Sequence, residues 1–68
     1  MKVLHLVRRA VDPLAWEAIA AQSRLDDVRV VLLGEAGSAE PPPGIEASTV
    51  PYDELVSLVE WSDRVVTW

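Results

Sequence analysis

The chain has 68 residues, half of them hydrophobic and a quarter charged, which is the composition of one small globular domain and not of a disordered segment. Its net charge is −5, and its six basic residues (Lys2, Arg8, Arg9, Arg24, Arg29 and Arg64) form no long run, which argues against binding duplex DNA through its phosphates. Cysteine is absent and histidine occurs once, so disulfides and thiolate–metal sites are excluded and no metal site is expected.

No apolar run approaches the ~20 residues of a membrane span. A short domain buries only about 60% of the surface its unfolded chain exposes. With no covalent staple, a core this small is expected to bury apolar surface against a partner or a second copy.

Val3 to Val7 is an apolar run broken by His5, the pattern of a strand covered on both faces. Arg8 and Arg9 interrupt it, and no small-residue cleavage site follows. A strand is therefore expected here instead of a signal peptide, and a cytoplasmic location is the default. Arg8 to Val11 is a connection, and Asp12-Pro13 signals a helix start. The carboxylate can accept from free backbone N–H groups, and proline at the first helical position gives up no needed donor. The helix is expected over Leu14 to Arg24, with Leu14, Ala18, Ala21 and Leu25 as its core stripe and Glu17 and Arg24 on a solvated face. Asp26-Asp27 makes a turn into a second strand, Val28 to Leu33.

Gly34 to Gly44 is expected to be an exposed, partly extended linker between two halves of the single domain, 1–68. Its Pro41, Pro42 and Pro43 exclude a helix interior and a central strand. Ile45 to Val50 suggests a short edge strand. Pro51 opens a second helix with Asp53 and Glu54 near its positive end. On it Tyr52, Leu55, Val56 and Val59 share one face, and Asp53, Ser57 and Glu60 the other. Ser62-Asp63 ends it, and Arg64 to Trp68 is the last strand. The order β-α-β, loop, β-α-β predicts an α/β fold with a small, open, largely parallel sheet.

Little in the chain has the form of catalytic machinery. Gly34-Glu35-Ala36-Gly37 follows a strand, but prolines follow it where a phosphate loop needs a helix N-terminus, so it reads as a turn and no cofactor is expected. The carboxylates are scattered and explained by solvation and helix ends. No Ser, Cys or carboxylate is placed near His5 to complete a nucleophile–base pair, so no catalytic residue is assigned. His5, Arg8 and Arg9 lie at or just past the end of the first strand, where open α/β sheets collect ligands, and form a candidate anion site. The plainer alternative has the arginines solvated or paired with Asp12 and Glu17, and His5 an interior polar group with one hydrogen bond. Three tryptophans are many for this length. Trp16 fits the core or a helix contact. Trp61 and Trp68, with Tyr52, are interface candidates, core filling being the alternative.

The stretch Val50 to Trp68, with Leu4-His5, Arg9 and the strand Val30 to Leu33 ending in Gly34, resembles the DsrH/TusB branch of the DsrE-type sulfur-relay proteins. The matching residues of the terminal block are Tyr52, Leu55-Val56, Leu58 and Trp68, and the resemblance covers roughly residues 3 to 35 and 45 to 68. Family members carry a further helix and strand where this chain has only the Pro-rich loop, so it looks like an abridged form. The wider group relays sulfur on a persulfide-bearing cysteine, which is missing here. The resemblance therefore implies a non-catalytic subunit of a hetero-oligomer with DsrE-like and DsrF-like partners, in sulfur transfer for tRNA thiolation or sulfur oxidation. A second expectation, from the residues alone, is a stand-alone anion- or nucleotide-binding module using Arg8 and Arg9.

Overall fold

The computed structural model describes residues 1–9, 12–34 and 41–68. In chain order these form β1 (Lys2–Val7), α1 (Pro13–Ser23), β2 (Asp27–Leu32), β3 (Ala47–Ser48), α2 (Tyr52–Trp61) and β4 (Arg64–Thr67). The sheet order is β3-β2-β1-β4, and every neighbouring pair is parallel. The fold is thus the small, open α/β sheet with two helices that the element order implies.

Strand parity sorts the side chains. Val3, His5 and Val7 of β1 pair with Val28, Val30 and Leu32 of β2, so these six share one face. Against them pack Trp16 and Ile19 of α1, giving a core of Val7, Trp16, Ile19, Val30 and Leu32. Leu4 and Val31 point to the other face and are also buried. That face belongs to α2: Trp61 lies beneath Lys2 and Arg29, both of the same parity. Burial of each large aliphatic side chain contributes about 1.5–3 kcal/mol.

The start of α1 follows from Asp12 and Pro13. Asp12 caps it, its Oδ1 accepting from the Ala15 N–H at 3.0 Å, and Pro13 takes the first helical position.

Two expectations need correction. The stripe Leu14, Ala18, Ala21, Leu25 is not the buried face of α1: Leu14 and Leu25 are 72% and 87% exposed, and Ala15, Trp16 and Ile19 are buried instead. The helix turns Trp16 and Ile19 toward the sheet, and Leu25 lies past its end at Ser23. On α2 the shared face of Tyr52, Leu55, Val56 and Val59 is split. Leu55 is half-buried with Leu58 and Trp61, while Tyr52, Val56 and Val59 are exposed.

Both halves of the chain contribute strands to the one sheet. β3 pairs with the free edge of β2, while β4 pairs with the far edge of β1. Ile45 and Ala47 pack on the core formed by the first half. Because β3 and β4 lie at opposite edges, α2 has to cross the sheet between them, and this one crossing ties the domain together. Gly34 (φ 56°) and Gly44 (φ 90°) bound the Pro-rich stretch in the left-handed region that glycine alone adopts without strain. Glu35 to Glu40, and with them most of the Gly34–Gly37 turn, lie outside the described residues, as do Ala10 and Val11.

Candidate functional site

Among the described residues, three places gather polar or aromatic side chains. The first is interior. His5 is 3% exposed, and both ring nitrogens are engaged. The Trp68 indole N–H donates to Nδ1 at 3.0 Å, and Nε2 lies 2.6 Å from Oε1 of Gln22. An indole can only donate, so Nδ1 presents its lone pair and Nε2 carries the hydrogen that goes to Gln22. The His5 and Trp68 rings are stacked, with centroids 6.0 Å apart and planes at 26°. Burial pulls the His5 pKa below its ordinary 6.5, against a smaller upward effect of the Gln22 hydrogen bond. The imidazole is therefore neutral at pH 7.

The second place is the carboxyl end of β1. Arg8 and Arg9 are exposed there. The Arg8 N–H donates to the Trp68 carbonyl at 3.4 Å, and a Cβ added to Gly34 would stand 3.7 Å from the Arg8 carbonyl. The ends of β1, β2 and β4 thus meet beside the two guanidinium-bearing residues, but His5 is not among them. It sits below the surface with its nitrogens committed to Gln22 and Trp68.

The third place is the face of the sheet that carries α2. Trp61 is half-buried, with the Lys2 ammonium 5.8 Å and the Arg29 guanidinium 5.7 Å from its ring centroid. Beside it, an open cleft of about 830 Å³ lies between α2 and strands β2 and β3, lined by Arg29, Val31, Ser48, Glu54, Leu58 and Trp61 among others. The opposite side of α2 presents Tyr52, 76% exposed, with Val56 and Val59 one and two turns on, and Val65 of β4 is also exposed.

Of the residues singled out in the sequence, Arg8, Arg9 and Tyr52 are at the surface, Trp61 is half-buried on one face of the sheet, and Trp68 packs against the core on the other. Gln22 and the cation pair on Trp61 were not anticipated. Gln22 lies 17 positions from His5. Lys2 and Arg29 share a face only through the parallel register that places Leu4 beside Arg29. Neither relationship has a local signal.

Among the described residues no group of His, Asp and Glu could hold a metal ion, and no helix is long and apolar enough to cross a membrane. No family model, no curated protein and no solved structure matches this chain.

Proposed function

We propose that this chain is a non-catalytic, cytoplasmic subunit resembling the DsrH/TusB component of a sulfur-relay complex, acting in tRNA thiolation or sulfur oxidation with DsrE-like and DsrF-like partners. The observation that carries the reading is the terminal block. Tyr52, Leu55, Val56, Leu58 and Trp68 supply a helix that crosses the sheet and a strand that completes its edge. Two further features support it. The chain holds no cysteine, so a persulfide has to reside on a partner. Tyr52, Val56 and Val59 form an exposed apolar row at helical spacing, the kind of surface that a partner covers.

The test is co-expression with cysteine-bearing DsrE-like and DsrF-like subunits, read by native mass spectrometry. A stable complex that is lost on Tyr52→Glu or Val56→Glu is the expected result. A chain that stays monomeric in the presence of those subunits sinks the proposal.

A second reading rests on the exposure of Arg8 and Arg9 at the carboxyl end of a parallel sheet: a stand-alone module for anions or nucleotides. Calorimetric titration with inorganic phosphate, sulfite and nucleotides distinguishes it. Binding that persists in an Arg8→Ala/Arg9→Ala variant rules it out.

A further inference from the structure

His5 is the one buried polar side chain among the described residues, and its surroundings accept a single protonation state. A proton can add only at Nδ1, because Nε2 already carries a hydrogen. At Nδ1 it would set N–H against N–H across 3.0 Å, and the indole of Trp68 has no lone pair to offer in exchange. Gln22 does not resist that event, since its oxygen accepts from the Nε2 hydrogen before and after, and more strongly from an imidazolium. The conflict therefore falls on Trp68 alone.

Trp68 is attached to the fold weakly enough to respond. It follows β4, an edge strand of four residues paired on one side only, with β1. Its backbone is held by its N–H donating to the Leu6 carbonyl at 2.8 Å and by its carbonyl accepting from the Arg8 N–H at 3.4 Å, the second bond being long. Edge segments with few partners open at lower cost than central strands.

We propose that His5 and Trp68 form an acid-operated latch on the end of β4: the neutral imidazole holds the indole in place, and the imidazolium releases it. Release frees the last part of β4 and uncovers the matching edge of β1, leaving β1, β2, β3 and α1 assembled.

The charges around His5 do not oppose this. From α1 the inward side chains are Ala15, Trp16, Ile19 and Gln22, and from β2 they are Val28, Val30 and Leu32, none of which titrates. On β4, parity puts Val66 and Arg64 on the His5 face. Arg64 pairs with Val3 and is exposed, so solvent screens its charge. The sign follows from the lowered pKa of His5. The latch is closed above the unfolded value of 6.5 and opens as pH falls from there through the lower folded value.

The experiment is an NMR titration of the ¹⁵N-labelled chain from about pH 8 to about pH 4.5, a span that brackets histidine ionisation. It follows the His5 ring nitrogens, exchange of the Trp68 indole N–H, and exchange of the β2 amides. The expected result is a His5 midpoint below 6.5 with Trp68 losing protection at that same midpoint while Val30 to Leu32 stay protected. A Trp68 indole that stays protected while His5 titrates overturns the latch. So does a single step in which β2 opens with it, because that is global acid unfolding.

Two variants sharpen the test. Trp68→Phe keeps an aromatic ring and removes the opposing N–H, so the His5 midpoint should rise. Gln22→Glu puts a carboxylate on Nε2 and favours the imidazolium, so release should move up by about one pH unit, a roughly tenfold change in proton concentration. If Trp68→Phe does not fold, Gln22→Glu decides alone, and an unchanged release midpoint refutes the proposal.

Discussion

Lys2 and Asp63 hold each other twice: the Lys2 N–H donates to Asp63 Oδ2 at 2.9 Å, and the Asp63 N–H donates to the Lys2 carbonyl at 2.7 Å. This clasp stands at the entry of β4, two residues after α2 ends at Trp61. It sets Arg64 beside Val3 and hence Val66 beside His5. A slip of one residue would send Val66 and Trp68 to the wrong face, since side chains alternate along a strand. Asp63→Ala should therefore lower stability by about 1 kcal/mol, the net value of one hydrogen bond near the surface. Asp63→Asn keeps an acceptor and should lose less. Urea unfolding of the two variants beside the parent checks this, and equal midpoints for all three would show that the clasp contributes nothing.

The cap of α1 makes a second, independent prediction. Asp12 satisfies the Ala15 N–H, and the first turn of α1 holds no acidic residue, so Asp12 is the negative charge nearest the positive end of the helix. Asp12→Ala should cost about 1 kcal/mol, and Asp12→Ser should recover most of it because a hydroxyl also caps. Equal stability of Ala and Ser at this position, measured by the same unfolding curve, would count against the cap.

How far the fold was legible in the sequence depends on the range of the signal. Asp12-Pro13, Pro51 and the apolar run of β1 act locally, and the elements form where those residues predict them. The parallel sheet follows from alternation of strand and helix. Helix orientation was read less well. Leu14 and the alanines of α1 have helical spacing, but spacing alone does not weigh area, and Trp16 with Ile19 offers more apolar surface to the sheet. Of the candidate anion site, the position of Arg8 and Arg9 at a strand end was legible. The meeting of His5 with Gln22 and Trp68 was not, because Gln22 comes from α1 and Trp68 reaches His5 only because β4 lies beside β1.

That difference in helix orientation can be measured directly. Ile19 is 1% exposed and belongs to the core cluster that also holds Val7, Val30 and Leu32, so Ile19→Ala should cost about 2–5 kcal/mol. A chain of this length has a total stability of only about 3–10 kcal/mol, so the variant should be largely unfolded or close to it by circular dichroism. Leu14→Ala, at a position 72% exposed, should stay within about 0.5 kcal/mol of the parent. A larger loss at Leu14 than at Ile19 would restore the stripe expected from spacing and reject the observed burial.

The pair of cations on Trp61 makes the last prediction. Lys2 from β1 and Arg29 from β2 carry like charges, and each stands within 6 Å of the same indole ring centroid, at 5.8 and 5.7 Å. The negative face of the ring offsets their mutual repulsion, and each contact at a partly exposed site contributes about 0.5–1 kcal/mol. Trp61→Leu retains an apolar side chain on α2 but removes the π-face, so the two cations keep their repulsion and lose its compensation. The variant should be less stable than the parent by about 1–2 kcal/mol at low salt, and part of that loss should return at high salt, where screening weakens the repulsion. Replacing Arg29 with Ala as well should make the Trp61→Leu loss smaller and its salt dependence weaker, because only one cation remains. A double-variant cycle by thermal unfolding at two ionic strengths measures both effects, and strict additivity with no salt dependence would show that Trp61 acts only by packing.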